Sequence, residues 1–71
     1  MKLTWDDVEE IAWALRDQHP AVDPLRLSYP TLRQWILALP DFDGAPDACN
    51  EALLERIQMA WLEARQDTGR R

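Results

Sequence analysis

At 71 residues and 8.3 kDa, the chain has room for one small domain and not for a second or a deep substrate cleft, because a chain this short buries only about 60% of the surface it exposes when unfolded. Thirteen acidic against eight basic side chains give a formal net charge of -5 and a pI near 4.6, a balance that repels nucleic-acid phosphate and anionic lipid and favours cationic partners. A hydrophobic content of 46% with four Trp, one Tyr and one Phe is too aromatic for a disordered acidic tail; no apolar run approaches the roughly 18 residues of a membrane span and the N-terminus lacks the apolar stretch of a secretion signal, so a folded, cytoplasmic protein is expected.

The first predicted helix covers residues 5–18. Thr4 is placed to cap the amides two or three residues on, Asp7 completes a capping-box pattern, and acidic residues crowd the positive end of the helix dipole. Val8, Ile11, Ala12 and Leu15 fall on one stripe with Trp5 at its edge, and His19-Pro20 ends the element because the residue before proline disfavours helix. Ala21-Val22-Asp23-Pro24 reads as a turn, and Leu25-Arg26-Leu27-Ser28-Tyr29 alternates apolar and polar as a short strand does. A second helix is predicted over residues 30–39, with Pro30 at its first position, Ser28 or Tyr29 just outside and Leu32, Trp35, Ile36 and Leu39 at helical spacing. Pro40 and the run Asp41-Phe42-Asp43-Gly44-Ala45-Pro46-Asp47 break it into an acidic loop whose one apolar side chain, Phe42, is expected to tuck into the core. The third helix is predicted from about Ala48 to about Arg65, with Leu53, Leu54, Ile57 and Trp61 as its stripe and Glu51, Glu55 and Arg56 facing water. Residues 66–71, ending Gly69-Arg70-Arg71, have no apolar anchor and read as a flexible basic tail after a single domain of residues 1–65.

The expected class is therefore mainly α: three short helices with at most a minimal β component, around a core of Val8, Ile11, Leu15, Leu32, Trp35, Ile36, Leu39, Phe42, Leu53, Ile57 and Trp61. Such a core leaves only a few kcal/mol of net stability.

Charge is unevenly distributed. Residues 1–47 hold nine acids and four bases, and residues 48–71 hold four of each, so the whole excess lies upstream of the third helix. Steps of about 100° per residue put Asp6, Glu10, Trp13 and Asp17 on one face of the first helix, opposite the apolar stripe, with Glu9 at the margin. The carboxylates alone fit an ordinary solvated helix surface; a tryptophan among them points to a partner contact, unless the chain's own strand or tail covers it. Asp23, Asp41 and Asp43 lie in the two loops, from which they could converge with the first helix on an open, weak, all-oxygen site for a divalent cation. A calcium-binding EF-hand loop starting at Asp41 is excluded, because its obligatory sixth-position Gly would fall on Pro46 and its twelfth-position Glu on Ala52.

With Cys49 and His19 as the sole cysteine and histidine, the chain can neither close an internal disulfide nor hold an iron-sulphur cluster or a structural zinc by itself. Ser28 with His19, or Cys49 with His19, could in principle pair as nucleophile and base, but neither sits in a strand-turn-helix elbow, and two glycines make no phosphate loop. No enzymatic role and no tightly bound cofactor are expected.

The series Leu3-x-Trp5, Asp7, Glu10-Ile11, Ala14-Leu15, Pro20, Asp23-Pro24, Gln34-Trp35-Ile36, Asp41-Phe42-Asp43, Pro46, Asn50-Glu51, Leu54-Glu55 and Trp61-Leu62 resembles the IscX family, small acidic proteins of bacterial iron-sulphur cluster assembly operons, without gaps from about Leu3 to Glu63. The resemblance implies a winged-helix-like helical fold, binding to the cysteine desulfurase IscS, weak iron(II) binding on the acidic surface, and modulation of cluster assembly, overlapping with bacterial frataxin; a monomer is expected. By the same resemblance Asp7, Glu10, Asp17 and Asp23 are the candidate iron positions. Asp6, Asp7, Glu10, Trp13, Asp17, Asp23, Asp41 and Asp43 are the candidate docking residues. The chain departs from the family pattern at Trp13, Ala21, Gly44 and Ala45, where relatives can carry acids, which implies weaker iron binding, and at Cys49, which replaces a small polar residue. Two other readings stand beside this one: an iron chaperone delivering metal to the scaffold IscU, which shares the acidic surface, and a winged-helix transcription regulator, which the charge of -5 disfavours.

Overall fold

A computed structural model describes residues 2–68, with side chains described to Gln66. Three helices follow one another, α1 (Val8–Gln18), α2 (Tyr29–Leu37) and α3 (Glu51–Thr68), with short 3-10 turns at Pro24–Arg26 and Pro46–Ala48. There is no sheet among the described residues. The β component is one isolated parallel bridge, Leu3 with Phe42, in which the Leu3 amide donates to the Asp41 carbonyl at 2.6 Å and the Asp43 amide to the Leu3 carbonyl at 2.7 Å.

Helix α1 begins later than its stripe predicts. Leu3 and Trp5 are both buried, the alternation of an extended segment, and the bridge to Phe42 holds that segment against the core. The Asp7 amide then donates to the Thr4 carbonyl at 3.0 Å, closing a turn that leaves Asp7 as N-cap. The Asp7 carboxylate points back, accepting from the Thr4 amide at 2.9 Å and the Thr4 hydroxyl at 3.4 Å. Thr4 thus ties the entry turn rather than capping helix amides as expected.

The short strand expected over Leu25 to Tyr29 does not form. Pro24 presets the first turn of a 3-10 helix, and the Asp23 carboxylate accepts from the Leu25 amide at 3.0 Å, so local turn chemistry overrides five residues of alternation. Leu25 is left 58% exposed. Ser28 caps α2 through its hydroxyl, which accepts from the Thr31 amide, and the helix opens at Tyr29, so Pro30 stands at its second position and not, as expected, its first. The third helix starts at Glu51, not Ala48, because the Asn50 side chain caps it by accepting from the Leu53 amide at 2.8 Å. It continues to Thr68, through three residues read as tail; Gly69 to Arg71 lie outside the described residues.

The core gathers Ile11, Ala12 and Leu15 of α1, Leu32 and Ile36 of α2, Leu39, and Leu54, Ile57, Trp61 and Ala64 of α3. Val8, Trp35, Phe42 and Leu53, expected inside, are half-buried at its margin. The α3 stripe is interrupted by Gln58, whose buried amide donates to the Pro24 carbonyl at 2.8 Å and so clamps the 3-10 turn onto α3. The Cα extents are 35 × 27 × 16 Å.

Two aromatic clusters close the ends. His19, at the C-cap of α1, stacks on Trp35 with centroids 4.0 Å apart, and Trp35 and Trp61 are 6.4 Å apart. Trp5 meets Phe42 edge-on at 4.7 Å and donates from Nε1 to the Ala45 carbonyl at 2.6 Å. Gly44 passes so close to this pair that a Cβ would lie 2.5 Å from Phe42 Cζ and 2.8 Å from Trp5 Cδ1. Gly44→Ala should therefore lower stability by about 1–3 kcal/mol, seen as a fall in Tm of about 4–8 °C for each kcal/mol; an unchanged Tm would show that the rings yield freely.

Candidate functional site

The acidic positions singled out in the sequence divide in two. Glu10, Trp13 and Asp17 project from successive turns of α1, on the face opposite the buried Ile11, Ala12 and Leu15, and all three are exposed. Glu9 stands one turn before Trp13 and is exposed, and Asp6 is exposed in the turn leading into the helix. No ion pair to Asp6, Glu9 or Glu10 forms among the described residues. Asp17 is 70% exposed at its side chain and pairs with its neighbour Arg16 at 3.3 Å, a contact of the solvated kind that contributes little.

Of the remaining positions, Asp7, Asp23 and Asp43 are engaged through their carboxylates and Asp41 through its backbone carbonyl alone. Asp7 is half-buried and holds the entry turn. Asp23 is the N-cap of the 3-10 turn and stands 4.0 Å from Arg26 and 3.8 Å from Arg65, so two of the chain's own cations face it. Asp41 and Asp43 flank the bridge residue Phe42 and lie beside the N-terminal segment, where Asp43 pairs with Lys2 at 3.8 Å. Sequence reasoning placed all of these in one docking set. Pairings between residues 23 and 65, or 2 and 43, depend on tertiary placement and leave no local signal.

Nor do the carboxylates gather. Among the described residues there is no group of three or more His, Cys, Asp or Glu side chains that could hold a metal ion. Asp7, Glu10 and Asp17 run along α1 at 1.5 Å per residue, about 15 Å from first to last, too far to share one ion. The four candidate iron positions do not fit a preformed site.

Trp13 differs from the other tryptophans. Trp5 and Trp61 are buried and Trp35 is half-covered by His19, whereas Trp13 is 47% exposed and makes no ring contact or side-chain hydrogen bond among the described residues. On the order of 100 Å² of indole is left in water, worth about 2–3 kcal/mol to any partner that covers it. Ser28 caps α2 and His19 is stacked on Trp35, so neither is free to act as nucleophile or base with the other. Cys49 is half-buried before α3; burial raises its thiol pKa, against a weaker opposite pull from the charge of Arg33. Less thiolate at a given pH means slower alkylation, so iodoacetamide at pH 8 should label Cys49 more slowly in the folded protein than in urea. Equal rates would contradict this burial effect.

The family profile described as iron-sulphur cluster assembly matches residues 3–66, nearly the whole chain. The chain belongs to the IscX family of iron-sulphur cluster assembly proteins. An uncharacterised protein of Pseudomonas aeruginosa is 45% identical over 65 residues, covering 92% of this chain and 98% of that protein. Family membership assigns the chain to iron-sulphur cluster assembly. No helix among the described residues is long and apolar enough to cross a membrane. On the outer face of α1, Glu9, Glu10 and Trp13 are exposed and make no ion pair, ring contact or side-chain hydrogen bond among the described residues.

Proposed function

We propose that this IscX-family protein is an accessory adaptor that docks on the cysteine desulfurase IscS through the outer face of α1. The observation carrying this reading is that Glu9 and Glu10 are exposed without an ion pair among the described residues beside an exposed Trp13 on α1, with Asp6 likewise exposed and unpaired in the turn that leads into the helix. Exposed carboxylates in a chain of net charge -5 complement a basic surface and steer it in from a distance. Asp6, Glu10, Trp13 and Asp17 are placed at the centre of the interface. Asp7, Asp23 and Asp43 are assigned to its edge, since their carboxylates are engaged in a turn or an ion pair; Asp41 goes with its loop neighbour Asp43, although only its backbone carbonyl is engaged. Iron(II) enters as a weakly associated cation drawn by net charge, with no built ligand set among the described residues, and no step of the docking is routed through it.

The test is affinity capture from a bacterial lysate with the tagged full chain, beside a variant carrying Asp6→Lys, Glu10→Lys and Asp17→Lys. The desulfurase should be recovered by the native chain and lost with the variant. Recovery of the scaffold IscU in place of the desulfurase would favour an iron chaperone instead, and equal recovery of the desulfurase by both chains would refute docking through α1.

A further inference from the structure

We infer, building on the docking reading, that Trp13 is the seat for an arginine side chain of the basic partner, with Glu9, Glu10 and Asp17 closing around its guanidinium. On a helix the neighbours of position 13 are positions three and four away, and at 9, 10 and 17 those neighbours are carboxylates, all exposed. The indole between them is 47% exposed. The remaining neighbour in this set, Arg16, directs its Nε to Asp17 at 3.3 Å, and no cation of the chain stacks on the Trp13 ring among the described residues.

Three kinds of occupant can be compared on this surface. An apolar side chain would cover the indole but strip water from carboxylates without replacing their hydrogen bonds. A metal ion would use the carboxylates and leave the indole in water, and the carboxylates do not gather for it. A guanidinium satisfies both parts, because its flat face stacks on an aromatic ring while the N–H groups at its edge donate to carboxylate oxygens. A lysine ammonium is more strongly hydrated and presents no flat face, so the geometry selects arginine over lysine. The Arg16–Asp17 pair is no obstacle, since an exposed carboxylate can accept from two donors.

Two arms test this with the full chain. In the first, blocked hexa-arginine and hexalysine peptides are titrated at equal salt while the Trp13 indole N–H resonance is followed, assigned by its loss in Trp13→Ala. Hexa-arginine should bind at least about fivefold more tightly and shift that resonance, and Trp13→Ala should bring the two peptides to within about twofold of each other. Equal binding of both peptides by the native chain, or a preference that survives Trp13→Ala, would overturn the inference.

In the second arm, Trp13→Glu is titrated against the desulfurase. Charge counting alone predicts tighter binding, because a carboxylate has been added to an acidic face; an arginine seat predicts a loss of about tenfold or more. Unchanged or tighter binding would overturn the inference at that interface. If the native chain fails to bind the desulfurase at all, the docking reading falls, and the peptide arm still decides the preference for arginine.

Discussion

Trp61→Ala is expected to unfold the protein at room temperature. Trp61 is fully buried on α3 at the meeting point of all three helices, 6.4 Å from both Trp35 and His19. Truncating a buried Trp to Ala costs about 3–5 kcal/mol, and a core in a chain of this size supplies about the same in total. Trp61→Phe should be much milder. It keeps most of the ring volume, and it removes an indole N–H that finds no hydrogen-bond partner among the described residues, a group whose burial is itself unfavourable. Circular dichroism and amide-proton dispersion should show a disordered chain for Trp61→Ala and a folded one for Trp61→Phe and for Trp13→Ala, whose side chain is half in water. A cooperative urea transition in Trp61→Ala with an unchanged midpoint would contradict the assignment of the core.

The second large effect is expected at the interface. Reversing Asp6, Glu10 and Asp17 together to Lys should weaken association with the desulfurase about a hundredfold, some 3 kcal/mol, while leaving Tm within the small range usual for exposed positions. The reversal set omits Asp7 for a physical reason. Its carboxylate accepts two hydrogen bonds that hold the Thr4 turn, and losing them costs about 1 kcal/mol of stability, which would mix folding with docking. The matched control is the single reversal Asp43→Lys. It removes a pair to Lys2 between side chains 76% and 65% exposed, and it should change desulfurase affinity by only a few fold. If Asp43→Lys were as damaging as the triple reversal, the interface would centre on the acidic loop and not on α1.

Much of this molecule is legible in its sequence, and the illegible parts share a cause. The 3.6-residue stripe located all three helices and most of the core, and Ser28 with Pro30 marked the start of α2 within a residue. The N-terminal segment escaped that reading because Leu3 and Trp5 reach the core by period-two alternation, fixed by a bridge to Phe42 thirty-nine positions away. The strand reading of Leu25 to Tyr29 failed because Asp23 and Pro24 make a local turn that needs no partner, whereas a strand does. Within the candidate site, helical spacing was enough to set Glu10, Trp13 and Asp17 on one face. It could not tell free carboxylates from engaged ones: the Arg65 that faces Asp23 lies forty-two residues downstream.

The central claim is that α1 presents unpaired negative charge to a positively charged partner, and the most direct measurement of it is the salt dependence of the native chain's affinity for the cysteine desulfurase. Between about 50 and 500 mM salt, where the screening length shrinks from well above to below the spacing of these charges, Kd should rise at least about tenfold, and the triple Lys variant should lose that dependence. A Kd that is flat across the same range in the native chain would contradict the account.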